Sequence, residues 1–292
     1  MPDMAQPLHT PLCRELGIEY PIFCAGIGTA AGPDLAAAVS NAGGFGVVGA
    51  SSFLADAMPA LIGRIRERTT RPFGVNFIID ERDSSDEDRA ITRRQVSAAI
   101  TERVAAVILF WGDPAPYVEE AHRHGVRIII QVGSVDEAIK PLPVLASGGI
   151  GDGTGLARAI RLGAQGVSLG TRFVASDEAW CHAAYKQRIV ESTASDTVLN
   201  ELYDVWWPNA PHRTLRNKTF VEWEAAGRPP SGQRPGEGTS IGKKRMGSGE
   251  VVEWPRYAIG TAPPDFEGDI EYAPLWAGES CSVVNDVKPA GD

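Results

Sequence analysis

The sequence predicts an α/β protein, a (β/α)8 barrel of the TIM type with a C-terminal excursion. Two observations indicate this fold. Short apolar runs alternate with helix-like stretches along the first 195 residues, and these runs are apolar almost throughout, which is typical of parallel strands that are covered by helices. The regular alternation favours a barrel over a doubly wound sheet.

Seven strands are predicted, at 20–25, 44–50, 72–79, 104–110, 126–132, 142–147 and 166–171. The helices between them have credible ends. Pro33 and Asp34 suit a first helical turn, while Gly43, Gly125 and Gly163 suit the position just after a helix. The last barrel helix is predicted over 176–193.

Seven strands are one fewer than the eight of a complete barrel, and the missing strand is expected at a single junction. Only "VDEAIKPLP" separates "RIIIQVGS" from the next strand, whereas a parallel crossover needs about a dozen residues or more. A helix–strand–helix stretch is therefore expected to be absent after Lys140, either by deletion or because a segment is not represented in this sequence. The alternative is an open sheet of seven strands.

The domain prediction follows from where the alternation stops. Residues 1–195 and 270–292 are expected to form the barrel, and residues 196–269 a loop-rich excursion that covers it. The part at 228–250 is the richest in glycine and proline, which predicts a mobile segment. The excursion is also rich in tryptophan, and burial against the barrel is expected for Trp206, Trp207, Trp223 and Trp254.

Composition excludes several classes of protein. The formal net charge of −9 comes with no basic stretch to offset it, which argues against nucleic-acid binding. No apolar run approaches the ~20 residues that span a bilayer, and the N-terminus does not resemble a signal peptide, so a cytoplasmic protein without membrane contact is expected. The four cysteines lack metal-ligand spacing, so we predict reduced, structural thiols and no metal site.

Small residues end the last two predicted strands. Gly148 and Gly149 follow one strand, and Gly170 and Thr171 end the next. In (β/α)8 barrels these loops commonly hold a phosphate, because glycines let backbone N–H groups approach its oxygens and a threonine hydroxyl adds a donor. The pattern predicts the phosphate of a nucleotide-like cofactor.

A second glycine pattern, "GIGTAA" at 26–31, matches the dinucleotide-binding fingerprint only superficially. No acidic residue lies about 20 positions downstream to bind a ribose. A dinucleotide fold is therefore not predicted.

Several motifs together resemble a known family. They are "PIFCAGIGTA", "VSNAGGFGVVGA", "PFGVNF", "IIIQVGS", "PVLASGGIGDGTGLARAIRLGAQGVSLGTRF" and "APLWAGES", and they cover nearly the whole chain. In this order they are similar to the nitronate monooxygenase family, formerly called 2-nitropropane dioxygenases, whose members are FMN-dependent barrels. The flavin-dependent enoyl-acyl-carrier-protein reductases are close relatives of that family.

The resemblance implies a set of cofactor-binding residues. Asn76 would hydrogen-bond the flavin or its ribityl chain, Gly26 would let the ring lie against backbone, and Gln131 is a weaker candidate at the same face. The phosphate would be held by Gly148, Gly149, Ser168, Leu169, Gly170 and Thr171. Structural alternatives stay open: Asn76 as a loop cap, Gln131 as a satisfied strand-end amide, and Gly26 as a tight-turn residue.

The catalytic residue is the main departure from the family. Family members carry a histidine in a Gly-Gly-His motif after strand 6, and that stretch is the one missing between Lys140 and Pro141. The remaining histidines are interpreted as surface or structural residues: His9, His122, His124, His182 and His212. No catalytic base is assigned.

The resemblance implies FMN-dependent oxidation of alkyl nitronates by O2 to a carbonyl compound and nitrite. The partners would be a small-molecule substrate and O2. Two alternatives remain: an FMN-dependent oxidoreductase of the enoyl or acyl-CoA type, and a flavin-binding protein with impaired catalysis.

Overall fold

The described residues form seven parallel strands at the centre of the molecule. The computed structural model describes residues 8–79, 85–133, 142–245 and 250–292. The strands are β1 Ile22–Cys24, β2 Gly46–Gly49, β3 Phe73–Ile78, β4 Ala106–Phe110, β5 Arg127–Gln131, β6 Leu145–Ser147 and β7 Gly166–Leu169. Each lies inside its predicted run, so the seven strand predictions are confirmed.

The strands follow one another around the sheet in the order of a TIM barrel. Strand β7 lies between β6 and β1, and β2, β3, β4 and β5 pair in sequence. A parallel bridge between Phe23 and Phe45 joins the two sets. Within the described residues, β5 and β6 each pair on one side only. The position of the missing unit is therefore between β5 and β6.

The junction at Lys140 and Pro141 lies outside the described residues, which exclude 134–141. The described strands on either side of it are unpaired with each other. Eight residues separate the described segments, fewer than a parallel crossover requires.

The helices of the described chain are α1 Pro11–Leu16, α2 Pro33–Asn41, α3 Met58–Arg66, α4 Asp86–Thr101, α5 Ala115–Arg123, α6 Gly153–Arg161, α7 Thr171–Val174, α8 Ala183–Val190 and α9 Lys218–Ala225. Their ends follow local signals. Pro33 occupies the first turn of α2, and the predicted turn glycines Gly43, Gly125 and Gly163 have φ of 90°, 73° and 100°. No helix in the described ranges is long and apolar enough to cross a membrane.

The predicted helix over 176–193 is wrong at its start, because α8 begins only at Ala183. The preceding backbone is bonded to other segments instead of to helical carbonyls. The N–H of Asp177 donates to Lys288, that of Trp180 to Ala30, and that of His182 to Ala262. Tertiary hydrogen bonds therefore replace the first helical turns.

The apolar core has an inner and an outer part. Phe23, Phe45 and Val47 fill the inside of the sheet, and Leu12 and Leu16 of α1 close its amino-terminal end. The outer faces of β2 to β5 pack against α3, α4 and α5. Strand residues on alternate positions therefore point inward or toward the helices, as expected for parallel strands.

All four cysteines are buried and free: Cys13, Cys24, Cys181 and Cys281. Burial raises the pKa of the Cys24 and Cys181 thiols to about 12. These thiols are therefore poor nucleophiles, in agreement with their predicted structural role.

Residues 196–269 form several small elements: β8 Thr197–Asn200, β9 His212–Leu215, α9, β10 Ser240–Arg245, β11 Val251–Pro255 and β12 Glu267–Gly268. Strand β10 lies within the segment predicted to be the most loop-like, and it pairs with both β11 and β12. Trp254 is fully buried in one cluster with Leu35 and Val167 of the barrel. Trp206, in contrast, is 66% exposed, so the expectation that it packs against the barrel is wrong.

Candidate active site

The carboxyl ends of the parallel strands meet at one edge of the sheet, and the predicted phosphate loops are neighbours there. Strands β6 and β7 pair with Ser147 opposite Ser168, and β7 and β1 pair with Leu169 opposite Cys24. The loop after β6 therefore lies beside the turn after β7. The structure brings together the two small-residue ends that the sequence singled out.

Gly148 and Gly149 form an open backbone surface after β6. Both have positive φ, 91° and 69°, and a Cβ atom at either position would meet nothing within 4 Å. Their N–H groups donate to no acceptor in the described chain. Adjacent free N–H donors in this backbone conformation make a concave surface suited to an anion.

Thr171 presents a hydroxyl at the neighbouring strand end. The side chain is nearly buried, and its Oγ1 accepts a hydrogen bond of 2.9 Å from the N–H of Gly278. Because the oxygen acts as acceptor there, the hydroxyl hydrogen remains available to donate. Gly278 belongs to the C-terminal segment, so that segment positions the hydroxyl.

Ser168 and Leu169 contribute differently. The Leu169 side chain packs in the same cluster as Leu35 and Trp254, outside the sheet, so only its backbone can face the site. Its carbonyl already accepts a hydrogen bond of 2.9 Å from the N–H of Ala25. The Ser168 side chain is on the opposite, inner side of β7. Its carbonyl accepts from the Ser147 hydroxyl at 3.1 Å, which ties the two strand ends together. Gly170 follows at the start of α7 and lies close to Ile27 of the β1 loop.

Gly26 and Asn76 are in direct contact across the sheet edge. A Cβ atom on Gly26 would lie 2.2 Å from Asn76 Oδ1. Asn76 lies within β3 and donates from Nδ2 to the carbonyl of Ile108 at 3.1 Å, so it is not a loop cap. Gly26 does not have a positive φ, so its backbone conformation does not require glycine. A glycine is required because the Asn76 side chain lies against its Cα.

Gln131 is the last residue of β5 and pairs with Phe110. It alternates with Ile129, which packs in the inner cluster, so its side chain projects from the inner side of the strand. Its side chain is exposed, and the side-chain amide makes no hydrogen bond to the described residues. The reading as a satisfied amide is therefore not supported, and within the described residues Gln131 lies on a strand that does not pair with β6 or β7.

The histidines lie away from the strand ends or are already engaged. His122 and His124 are at the carboxyl end of α5, which leads into the amino end of β5. His182 caps α8 by accepting from the N–H of Ala184, and His9 lies before α1. The family histidine is expected in the stretch missing between Lys140 and Pro141, and that junction lies outside the described residues.

An aromatic wall that sequence reasoning missed rises from the end of β4. It consists of Phe110, Trp111, Trp207, His212 and Trp276, with successive ring centroids 4.7, 5.4, 6.4 and 4.9 Å apart. Trp111 follows the last residue of β4 directly. The available signal was the pair Phe110 and Trp111 at a strand end, but its partners are about 100 and 165 residues further along the chain.

His212 is a structural member of this wall. Nδ1 is 2.7 Å from the carbonyl of Ala210, and Nε2 accepts from the N–H of Tyr203 at 3.4 Å. Burial lowers the pKa of the imidazole, although the Ala210 carbonyl acts in the opposite direction. Both ring nitrogens are occupied by these contacts.

Comparison with known proteins matches this chain to the model of one family. The family model for nitronate monooxygenase matches residues 9–140 and 118–292, so the first match ends at the junction where a stretch is expected to be absent. The solved structure of FabK from Thermotoga maritima superposes with a TM-score of 0.72 at 26% identity, covering 97% of this chain and 92% of that chain.

Two curated relatives differ in what they act on. A (3aS,4S,5R,7aS)-5-hydroxy-7a-methyl-1-oxo-octahydro-1H-indene-4-carboxyl-CoA dehydrogenase of Mycobacterium tuberculosis is 31% identical over 252 residues, with 76% of this chain and 70% of the relative covered. A probable nitronate monooxygenase of Staphylococcus saprophyticus is 28% identical, with 67% and 76% covered. The alignment with the Mycobacterium relative is 252 residues long, which is more than the 76% of this 292-residue chain that it covers. The relative therefore has residues in this region that have no counterpart in this chain. The chain belongs to the nitronate monooxygenase family and is a flavin-dependent oxidoreductase with a TIM-barrel fold.

Proposed function

We propose that the protein binds FMN at the carboxyl edge of the sheet and oxidises alkyl nitronates with O2 to a carbonyl compound and nitrite. The observation that carries this proposal is the pair of unpartnered backbone N–H groups of Gly148 and Gly149 beside the Thr171 hydroxyl. Together they supply donors for one phosphate. A single phosphate site suits a mononucleotide, which favours FMN over FAD.

The residues present fit the rest of such a cofactor. Gly26 and Asn76 meet without space for a further side chain, so the edge of β1 and β3 presents backbone and an amide to a planar ring. When bound, the flavin ring supplies the site that accepts electrons from the substrate and delivers them to O2. The protein's part is to bind, to orient and to keep the site dry.

A nitronate suits this chain because it is already deprotonated at the reacting carbon. The histidines of the described chain are engaged or lie at other faces. A substrate that requires no proton abstraction needs only positioning and a hydrophobic enclosure. The aromatic wall supplies apolar surface at the end of β4 for that purpose.

We further propose that the barrel comprises 1–195 and 270–292, with 196–269 as the excursion that covers its carboxyl edge. The hydrogen bond from Gly278 to Thr171 supports assigning the C-terminal segment to the barrel. The contact between Trp207 of the excursion and Trp111 supports a cover over the strand ends.

A second candidate is the oxidation or reduction of an acyl-CoA thioester. The observation in its favour is the 31% identity to a CoA-thioester dehydrogenase over 76% of this chain. Oxidation of an acyl-CoA requires a base that removes a carbon-bound proton, and reduction of an enoyl-CoA requires a proton donor, whereas the nitronate reaction needs neither.

Three measurements on the purified protein separate these possibilities. Flavin released by heat and identified by chromatography should be FMN, and FAD would contradict the cofactor assignment. Nitrite release from propionate-3-nitronate in air supports nitronate oxidation. Anaerobic bleaching of the flavin by an acyl-CoA, or by NAD(P)H, without nitrite release would support the second candidate. Bound flavin with neither reaction would indicate impaired catalysis.

A further inference from the structure

The hairpin of β10 and β11 has one buried and one exposed face. Lys243 pairs with Glu253, and Lys244 pairs with Val252. Cross-strand partners lie on the same face, and successive residues lie on opposite faces. Lys244 therefore shares a face with the fully buried Trp254, while Lys243 is on the exposed face.

The two adjacent lysines differ in their charge partners. Lys243 Nζ is 3.5 Å from Glu253 Oε1, and both side chains are more than half exposed. Lys244 Nζ lies 4.3 Å from the centroid of the Trp254 ring, and no carboxylate pairs with it in the described chain. Burial lowers the pKa of the Lys244 ammonium.

An unpaired, partly buried cation is costly, and an aromatic face offsets only part of that cost. The Lys244 ammonium can therefore bind an anion in place of the water molecules around it.

Lys244 lies next to the candidate active site. A Cβ atom on Gly260 would be 3.5 Å from Lys244 Nζ, and the Gly260 carbonyl accepts from Trp276 Nε1 of the aromatic wall at 2.7 Å. Thr261 follows Gly260, and its Oγ1 is 4.0 Å from the Cβ position of Gly28 in the loop after β1. One short segment thus connects Lys244 to both the aromatic wall and the β1 loop.

We propose that Lys244 binds a second anionic group of the substrate, a carboxylate or phosphate oxyanion remote from the carbon that is oxidised. This inference rests on the proposed function, because it takes the carboxyl edge as the place of reaction. The aromatic wall would contact the apolar part of the substrate between the two ends. Substrates with a terminal oxyanion are then preferred to neutral ones of the same length.

The test compares nitronates of 3-nitropropionate and of 1-nitrobutane, which differ in the terminal charge. Lys244→Met should raise KM for the carboxylate-bearing nitronate about tenfold, the scale of one lost charge-assisted hydrogen bond. KM for the neutral nitronate and kcat for both should change less than about twofold on the same scale. Lys244→Arg should restore KM, and the matched control Lys243→Met should leave both KM values unchanged.

A binding measurement keeps the test independent of turnover. Titration calorimetry of the flavin-loaded protein with glutarate and with inorganic phosphate shows which oxyanion Lys244 takes, and Lys244→Met should abolish that binding. Equal effects of the Lys244 and Lys243 substitutions, or no effect of either, would overturn the proposal. Absence of oxidation of both nitronates with Lys244-dependent glutarate binding would instead count against the proposed function.

Discussion

A methyl group on Gly26 would lie 2.2 Å from Oδ1 of Asn76, 2.3 Å from its Cγ and 2.5 Å from its Cβ. The loop after β1 and the middle of β3 therefore meet with no room for any side chain. This contact sets the surface on which the proposed flavin ring lies.

Gly26→Ala should reduce both stability and flavin content. The new methyl group must displace the Asn76 side chain, which donates a hydrogen bond to the Ile108 carbonyl. Overpacking of this kind lowers the free energy of unfolding by about 1–3 kcal/mol. Urea unfolding and the ratio of released flavin to protein measure the two effects.

The matched control is Gly63→Ala in α3, where a Cβ meets nothing within 4 Å. It should raise stability by about 0.5–1 kcal/mol. Asn76→Gly in the Gly26→Ala protein should relieve the overlap, and persistence of the full stability loss in that double variant would contradict the contact as its cause.

Substitutions at the two phosphate loops should weaken FMN binding by different amounts. Thr171→Ala removes a hydroxyl donor worth about 1.5–3 kcal/mol to a charged group, and Gly149→Asp should cost more because it places a carboxylate beside the phosphate. Titration of the apoprotein with FMN, followed by fluorescence, gives the dissociation constants.

Two controls separate phosphate binding from backbone effects. Gly163→Asp introduces the same charge at another positive φ, in the turn that precedes β7 at its amino end, and should leave FMN affinity unchanged. Thr171→Ser keeps the hydroxyl. If Gly149→Asp and Thr171→Ala bind FMN like the parent, the phosphate site lies elsewhere.

Arg234 should anchor the segment that the sequence predicts to be mobile. Its buried guanidinium donates to Asp204 Oδ1 at 2.8 Å and to Glu237 Oε1 at 2.9 Å. Burial by itself would raise the pKa of Glu237, but the hydrogen bonds from Arg234 and its charge lower it to about 2. Arg234→Met leaves two carboxylates without their cation, so we expect a loss of about 3–5 kcal/mol.

Urea unfolding and limited proteolysis should both detect this change, with new cleavage near residues 228–239. The exposed pair removed by Lys243→Met should contribute less than about 1 kcal/mol. A comparable loss in the two variants would show that Arg234 has no anchoring role.

His212 should make stability depend on pH just below neutrality. Its pKa is lowered in the folded protein, chiefly by burial, so the unfolded chain takes up a proton first. Stability is thus retained above pH ~6.5 and lost as the pH falls from there through the folded pKa, by at most about 1.4 kcal/mol at pH 5.5.

His212→Asn removes the titrating ring while its amide can still donate to the Ala210 carbonyl. Unfolding free energies at pH 7.5 and 5.5 should therefore differ less in the variant than in the parent. An identical pH dependence in both proteins would assign the titration to other groups.

The unpaired sides of β5 and β6 should exchange their amide hydrogens quickly. Strand β3 has a neighbour on each side, whereas in the described chain β5 and β6 have one each. Hydrogen exchange with mass spectrometry should show slower exchange for Phe73–Ile78 than for Arg127–Gln131 and Leu145–Ser147. Equal protection of all three would mean that the gap in the barrel is covered.

The sequence by itself determined the parallel strands, their order along the chain and the place of the missing unit. Continuous apolar runs and crossover length are local properties, so β1 to β7 could be located without contacts. The φ angles at Gly43, Gly125 and Gly163 follow from the same short-range signals. The motifs around Gly148 and Thr171 were sufficient to predict a phosphate loop and to identify the family.

Only the tertiary structure decided which distant residues meet. The contact of Gly26 with Asn76, the tilted ring contact of Trp111 with Trp207 and the position of Lys244 over Trp254 depend on register and on packing between segments far apart in the chain. Tertiary hydrogen bonds likewise shortened α8, and Arg234 joins a segment whose composition is typical of a loop to Asp204. Composition and periodicity indicate the local conformational preference of a segment. These contacts, in contrast, depend on free energies of burial and pairing that exist only after the chain has folded.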